Sequence, residues 1–243
     1  MERRGDLVVN EAIDWLQCSP RQPFFLWVHL YDPHHPYAPP EPYASRYRAR
    51  PYDGEIAFAD AQLGRLVASM QKQGTFEKAL IVLAGDHGEA LGEHGEETHG
   101  FFIYNATLHV PLIVKVPGAA PRVVENEVSL VDVMPTVLHA LSLPVPPTVQ
   151  GRSLLSSILG RPLSGSSNLW AENYLPLLHF GWSPLKGLQA AGMKYIDAPQ
   201  PELYDTRADP GETQNLFASR QAAAHEMHDR LLSIERRYTP ALG

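Results

Sequence analysis

Two kinds of hydrophobic spacing alternate along the first two thirds of the chain. Apolar residues recur every three or four positions in three segments, which predicts amphipathic helices over residues 6–17, 53–70 and 129–143. Short, continuous apolar runs are typical of strands and occupy residues 24–30, 79–84 and 110–116. Because helices alternate with strands, the pattern predicts an α/β fold in which helices cover a parallel sheet of buried strands.

The pattern changes after Pro144. Turn residues and a Ser/Gly-rich stretch predict a boundary between an α/β domain of residues 1–165 and a C-terminal subdomain of residues 166–243. Gly192 is in position for a hairpin turn between two strands. The subdomain is expected to be a small antiparallel sheet packed beside one helix, with strands over 168–174, 185–191, 193–197 and 202–205 and the helix over 219–238, its apolar face formed by Ala223, Met227, Leu231 and Ile234.

Composition limits the classes of function. With 243 residues, of which 44% are hydrophobic, the chain can bury a sizeable core. The net charge of -7 provides no basic field for a phosphate backbone, so no nucleic-acid partner is expected. A single cysteine, Cys18, excludes an internal disulfide.

Metal-capable and acid/base side chains follow the apolar run 79–84. Open α/β sheets place ligands just outside the carboxyl ends of their strands. Asp86 and His87, flanked by Gly85 and Gly88, are therefore predicted ligands of a divalent cation, with a loop-capping pair as the alternative. Two ligands do not complete a coordination shell, so further donors have to come from elsewhere.

The remaining acids of this stretch are interpreted as part of a solvated, hydrogen-bonded loop and not as metal ligands. These acids are Glu89, Glu93, Glu96 and Glu97. His94 and His99 are five residues apart with glycine between them, which excludes the zinc-protease helix motif. Among the histidines, His34, His35 and His99 are candidates to bind or protonate an anionic oxygen near the metal, and His34 is the first choice of the three. His29, inside the predicted strand, is interpreted as a core histidine.

Several segments resemble motifs of the sulfatase family, and they occur in the family's order. The segments are residues 24–37, 52–66, 84–95, 98–100, 110–114, 132–136 and 202–216, the last with the pattern Tyr-Asp-x-x-x-Asp-Pro-x-Glu-x-x-Asn-Leu. Sulfatases belong to the alkaline phosphatase superfamily. The resemblance implies a central mixed sheet between helices and a C-terminal antiparallel subdomain.

The resemblance also implies roles for individual residues. Asp86 and His87 resemble the family's second pair of metal ligands, for which Ca²⁺ is the favoured cation and Mn²⁺, Mg²⁺ and Zn²⁺ are alternatives. His34 resembles the substrate-binding histidine of a Pro-His-x-Pro-Tyr motif. His99 stands where many sulfatases have a lysine that binds the sulfate oxygen and assists the leaving group. His34 and His99 are therefore the expected catalytic and substrate-binding residues.

The sequence departs from the family pattern at its beginning. A full-length sulfatase starts with a strand that ends in an Asp pair, followed by a Cys-x-Pro-x-Arg signature or a serine or threonine nucleophile, and neither is found in this sequence. Cys18-Ser-Pro-Arg-Gln places Arg21 one position early, so Cys18 is not expected to be catalytic. We expect the chain to correspond to the C-terminal half of a sulfatase, with no nucleophile of its own.

The expected function is metal-dependent hydrolysis of the sulfate ester of a small anionic substrate, with the chain inactive alone. A phosphomonoester or phosphodiester hydrolase or a phosphotransferase of the same superfamily is one alternative. A non-catalytic remnant or binding module is another. Loss of the N-terminal strand is expected to favour self-association or pairing with the absent half.

Overall fold

The computed structural model describes residues 3–18, 21, 23–163 and 167–238. The chain divides into two compact units, the first ending at Ala79 and the second beginning at Leu80. The predicted domain boundary between residues 165 and 166 lies outside the described residues. Within the described ranges, none of the helices is both long and apolar enough to cross a membrane.

The first unit is helical. Its elements are α1 (Gly5–Gln17), α2 (Tyr43–Arg46), α3 (Pro51–Lys72) and a 3-10 turn (Phe76–Lys78). The predicted helices over 6–17 and 53–70 are thereby confirmed. Pro51 suits the first turn of α3, where its missing N–H would have no helical partner. Helices α1 and α3 pack together, and the apolar stripe of α1 buries Val9, Ala12 and Leu16.

The strand predicted over residues 24–30 is not formed. The segment is assigned no ladder and belongs to neither of the two sheets found among the described residues. Its side chains nevertheless alternate in exposure, with Phe25 at 81% and Trp27 at 77%. The interpretation of His29 as a core histidine is also wrong, because its side chain lies on the exposed side of this alternation. Periodicity favours an extended backbone, but a strand also needs a hydrogen-bonded neighbour.

The second unit begins with a pair of short strands, β1 (Ile81–Ala84) and β2 (Leu112–Lys115). They pair in antiparallel fashion, with Ile81 opposite Lys115 and Ala84 opposite Leu112. The prediction of parallel, fully buried strands is therefore wrong for this pair, and β1 is half-buried to exposed. Apolar runs locate strands along the chain, whereas the direction of pairing depends on which segments meet in space.

The helix predicted over 129–143 is formed in two pieces. A 3-10 turn (Leu130–Asp132) leads into α5 (Val133–Ala140), after the short α4 (Asn105–Leu108) and before the short α6 (Leu155–Ile158). Ser129 and Asp132 form a capping box at the start of the turn, and the backbone N–H of Arg152 donates to the other Asp132 carboxylate oxygen over 2.8 Å. Asp132 therefore fixes the entry of this helix and ties it to a distant loop.

The C-terminal part confirms the predicted antiparallel sheet with one helix. Strands β3 (Leu169–Asn173), β4 (Leu185–Ala190), β5 (Met193–Asp197) and β6 (Glu202–Asp205) pair in sequence order. Ala191 and Gly192 both have positive φ, which is the turn that a tight β4–β5 hairpin needs. The sequence did not predict the short α7 (Leu175–Phe180) between β3 and β4.

The last helix, α8 (Gln221–Tyr238), covers one face of this sheet. Its buried residues are Ala224, Met227 and Leu231, and the predicted Ala223 and Ile234 pack against the same cluster while partly buried. They pack in one cluster with Leu188 and Leu203 of the sheet. This sheet and helix form the main apolar core of the second unit.

Candidate functional site

The loop that follows β1 is held against the α4 segment by backbone contacts. The N–H of Gly85 donates to Pro111 O over 3.1 Å, and that of Gly88 donates to Thr107 O over 2.7 Å. A Cβ at Gly88 would lie 2.2 Å from the backbone oxygen of Ala106, so only glycine permits this approach. The two glycines that flank Asp86 and His87 thus fix the loop at the end of β1.

Asp86 and His87 are both exposed on this loop. The Asp86 carboxylate accepts a hydrogen bond from the His87 backbone N–H over 3.1 Å. His87 Nδ1 lies 2.8 Å from Gly88 O, and because a carbonyl only accepts, Nδ1 carries the proton. The lone pair of the neutral ring is then on Nε2, which is the arrangement seen in many metal-ligating histidines.

His99 is brought directly onto His87. The two ring centroids are 4.1 Å apart, at an interplanar angle of 32°. His99 Nδ1 lies 2.9 Å from Glu89 Oε1, and the Glu89 side chain is only 3% exposed against 26% for His99. A buried carboxylate therefore orients the imidazole of His99. The predicted proximity of His99 to the Asp86–His87 pair is confirmed.

Two of the four glutamates contradict the expectation of a solvated loop. Glu89 is buried beneath His99, and Glu96, 6% exposed, accepts a hydrogen bond from the Phe101 backbone N–H over 2.7 Å. Glu93 and Glu97 are exposed as expected. The pKa of Glu93 is lowered, chiefly because its carboxylate accepts a hydrogen bond from the Leu91 backbone N–H. Glu89 and Glu96 are seven residues apart in a run rich in acids. Nothing in the sequence pattern distinguishes these buried carboxylates from exposed ones.

His94 has a structural role in this loop. Its Nε2 lies 3.0 Å from Gly211 O, and its ring stacks on Tyr104 with centroids 3.6 Å apart and planes within 12°. Tyr104 in turn donates to Glu202 over 2.9 Å. Burial, followed by this carboxylate, raises the pKa of the Tyr104 hydroxyl. The loop is thereby attached to the C-terminal segment that carries the Asp-Pro-Gly-Glu sequence.

His34 belongs to the first unit and is held by a residue that the sequence did not single out. Its Nδ1 lies 2.7 Å from His35 O. The residue that holds His34 is Glu55 of α3, which is only 5% exposed. Its carboxylate accepts hydrogen bonds from the backbone N–H groups of His34 and Ala38 over 3.1 and 2.7 Å. Burial raises the pKa of Glu55, opposed by these two hydrogen bonds. The exposed His35 contacts Tyr37 edge-on.

The described residues supply two donors for the expected divalent cation. Within the described ranges, no group of three or more His, Cys, Asp or Glu side chains is arranged to hold a metal ion. Asp86 and the Nε2 side of His87 suit a divalent cation by chemistry, but a hard cation takes six or more ligands. The pair therefore fits part of a coordination shell. His34 lies in the other unit.

Comparison with known proteins gives one consistent family. The sequence profile described as Sulfatase matches residues 4–143, and that described as N-sulphoglucosamine sulphohydrolase, C-terminal, matches residues 92–237. Arylsulfatase K of Canis lupus familiaris is 31% identical over 75% of this chain. The chain spans 36% of the length of that relative.

Solved structures give the same picture of the fold. The phosphonate monoester hydrolase of Agrobacterium radiobacter is similar over 98% of this chain and 62% of its own, with a TM-score of 0.84 and 22% identity. The structure of BT4656, solved with its substrate D-glucosamine-2-N,6-O-disulfate, is similar over 80% of this chain and 42% of its own. Its TM-score is 0.66, with 27% identity. Both cover the α/β fold and support its assignment.

Proposed function

Because the chain belongs to the sulfatase family, we propose that it supplies part of the active site of a hydrolase acting on sulfate esters. The observation that carries the proposal is the contact between His87 and His99, with His99 oriented by the buried carboxylate of Glu89. The similarity to arylsulfatase K supports a sulfate ester as the substrate class. A small anionic ester is a ligand that suits an imidazole donor placed beside a cation site.

The role of His99 follows from its hydrogen bond. With Nδ1 directed at Glu89, the other ring nitrogen, Nε2, is the atom that can donate to a sulfate oxygen or protonate the departing oxygen. Donation from Nε2 takes place from the imidazolium form, in which both ring nitrogens carry a proton. We assign the same role in the first unit to His34, whose Nδ1 is occupied by a carbonyl.

Anion binding tests this assignment. We expect phenyl sulfate to shift the His99 ring resonances in NMR spectra, and His99→Asn to weaken binding by about tenfold, since Asn can still donate to Glu89 but lacks Nε2. His225→Asn, on the exposed surface of α8, is the matched control. Equal affinity of the His99→Asn variant and the native chain for phenyl sulfate would refute the role of His99.

A divalent cation is proposed to bind at Asp86 and His87, with Ca²⁺ favoured over Mn²⁺, Mg²⁺ and Zn²⁺. When bound, such a cation supplies polarisation of the ester oxygens. With two donors, we expect a dissociation constant above about 0.1 mM. Isothermal calorimetry measures it, with Asp86→Asn expected to abolish the heat and the exposed Glu97→Gln to leave it unchanged. Tight, stoichiometric binding would contradict this and indicate further donors such as Glu93 or His94.

Hydrolysis of aryl esters by the isolated chain can be assayed directly. No counterpart of the family's nucleophile signature is found in the sequence, so we expect no release of product from aryl sulfates or aryl phosphates. The assay is run with each of the four cations. Cation-dependent product release by the pure chain that disappears in Asp86→Ala would overturn the expected inactivity.

A phosphate or phosphonate ester is the second candidate substrate. The specific observation in its favour is the TM-score of 0.84 with a phosphonate monoester hydrolase. Phenyl phosphate and phenyl sulfate differ in charge at neutral pH, so their relative affinities for the histidine pair distinguish the two candidates. Preference for phenyl sulfate supports the first candidate, and preference for phenyl phosphate supports the second.

A further inference from the structure

Three aromatic side chains form a continuous, exposed surface in the second unit. The ring centroids of Phe101 and Phe180 are 5.8 Å apart, those of Phe101 and Trp182 are 6.5 Å apart, and those of Phe180 and Trp182 are 5.1 Å apart. Their exposed fractions are 36%, 52% and 59% respectively. We call these three residues the aromatic platform. Aromatic rings that contact one another and also face water are surfaces for a flat apolar partner.

The platform is joined to the histidine pair by a fixed piece of backbone. Phe101 is two residues from His99, so their Cα atoms are at most about 7 Å apart. The backbone N–H of Phe101 donates to the buried carboxylate of Glu96 over 2.7 Å, and the Asn173 side chain donates to Gly100 O over 2.6 Å. These bonds hold the linking residues from both sides. Asn173 ends β3 and lies just before α7, which carries Phe180.

The two segments that carry the platform lack charged residues. Between residues 98 and 104, and again between 173 and 185, the sequence contains no Asp, Glu, Lys or Arg. His179, on α7, is the titratable side chain nearest in sequence, and its ring lies 6.3 Å from that of Phe180. A ligand there would gain from contact of ring faces and from removal of apolar surface from water.

We propose that the aromatic platform binds the organic portion of the ester, presenting its rings to a flat apolar ring face while the sulfate group is held at His99. The proposal rests on the function proposed above. A molecule anchored by its anionic group at His99 has its next ring within reach of Phe101, because two residues separate them. The ring face can belong to an aryl group or to the C–H face of a sugar, and the two share this chemistry.

The test uses the full chain and follows the indole N–H of Trp182 in NMR spectra, assigned by its disappearance in Trp182→Phe. Phenyl sulfate and glucosamine 6-sulfate are titrated separately. We expect the Trp182 signal to shift with at least one of them and the Trp27 signal, in the other unit, to stay unchanged. A shift with phenyl sulfate alone identifies an aryl group, and a shift with glucosamine 6-sulfate alone identifies a sugar. Absence of a Trp182 shift with both ligands overturns the proposal.

Variants separate the platform from the histidine site. We expect Trp182→Ala and Phe180→Ala each to raise the dissociation constant of the ring-bearing sulfate by about 2- to 12-fold, whereas affinity for inorganic sulfate is unchanged. Leu178→Ala is the matched control, since Leu178 is 78% exposed on the same helix and lies outside the ring contacts. Thermal melting checks that each variant is folded.

The outcomes distinguish the two proposals. Weaker binding in His99→Asn with native affinity in both platform variants overturns the platform and leaves the proposed function standing. Weaker binding in the platform variants with native affinity in His99→Asn supports the platform as a ring-binding site and counts against His99 as the sulfate partner. If Leu178→Ala lowers the affinity for the ring-bearing sulfate as much as the platform variants do, the ring contacts are not specific and the platform is overturned.

Discussion

At the scale of single residues, three histidines share one hydrogen-bonding arrangement. Nδ1 faces an oxygen in each of them, namely His35 O for His34, Gly88 O for His87 and the Glu89 carboxylate for His99. Since such oxygens accept hydrogen bonds, Nδ1 carries a proton in each ring and the chemistry is assigned to Nε2. His94 differs, because its Nε2 faces Gly211 O. The sequence identified the three by motif position, but the buried carboxylates that hold His34 and His99 are visible only in three dimensions.

Glu55 holds the backbone around His34, and its substitution tests how much this support contributes to stability. Glu55→Ala leaves the N–H groups of His34 and Ala38 without their carboxylate acceptor, which we expect to cost about 2–4 kcal/mol. Glu55→Gln keeps one acceptor oxygen and should cost less. The exposed Asp60→Asn on the same helix is the control. Urea unfolding measures the free energies, and equal stability of Glu55→Ala and the control would contradict the prediction.

The raised pKa of Glu55 also predicts the direction in which the stability of the protein changes with pH. A carboxyl group whose folded-state pKa is above its unfolded value contributes stability below the unfolded pKa, and this is lost as pH rises through the folded-state value. Its contribution therefore falls from acid toward neutral pH. We expect the difference in unfolding free energy between the native chain and Glu55→Gln to change in this direction across that window, and a flat difference would contradict it.

At the scale of elements, a buried ion pair joins β5 to the Asp-Pro-Gly-Glu segment and, through it, to the first residue of α4. Lys194 Nζ of β5 lies 2.7 Å from Glu212 Oε1, and the side chains are 2% and 1% exposed. Glu212 Oε2 accepts from the Asn105 backbone N–H over 2.6 Å, and Lys194 donates to the Asn105 side chain over 3.3 Å. Burial lowers the pKa of Lys194, against the attraction of Glu212. The Asp-Pro-Gly-Glu segment is thus a structural connection between elements.

Removal of one partner of this pair should be strongly destabilising. Lys194→Met leaves the Glu212 charge buried and unpaired, and we expect a loss of about 3–5 kcal/mol. Lys194→Met with Glu212→Gln removes the uncompensated charge and keeps an acceptor for Asn105, so it should recover part of that loss. Urea unfolding followed by circular dichroism measures both. A double variant less stable than Lys194→Met would contradict this account.

At the scale of the whole molecule, the extended segment 24–30 exposes two large aromatic side chains. Phe25 and Trp27 point outward at 81% and 77% exposure from a backbone that joins neither described sheet. Extended segments with exposed apolar side chains and no neighbouring strand pair readily with other chains. We therefore expect the chain to self-associate through this segment.

Light scattering of the purified chain tests self-association. We expect species larger than the monomer at micromolar concentration, and a shift toward monomer in Phe25→Ser/Trp27→Ser. Leu178→Ser, exposed in the second unit, is the control for general loss of surface hydrophobicity. A monodisperse, stable monomer of the native chain would rule out self-association, and equal effects of both sets of substitutions would rule out the segment as the interface.

The sequence by itself determined the family, the α/β class and the location of Asp86, His87 and His99 at the end of an apolar strand. It also determined the C-terminal sheet, because adjacent strands joined by the Ala191–Gly192 turn pair locally. Only the tertiary structure decided properties that depend on distant segments. These are the antiparallel pairing of β1 with β2, the unpaired state of residues 24–30, and the burial of the Glu55, Glu89 and Glu96 carboxylates. The physical reason is that spacing along the chain records local conformation, whereas burial and pairing are set by which segments meet in space.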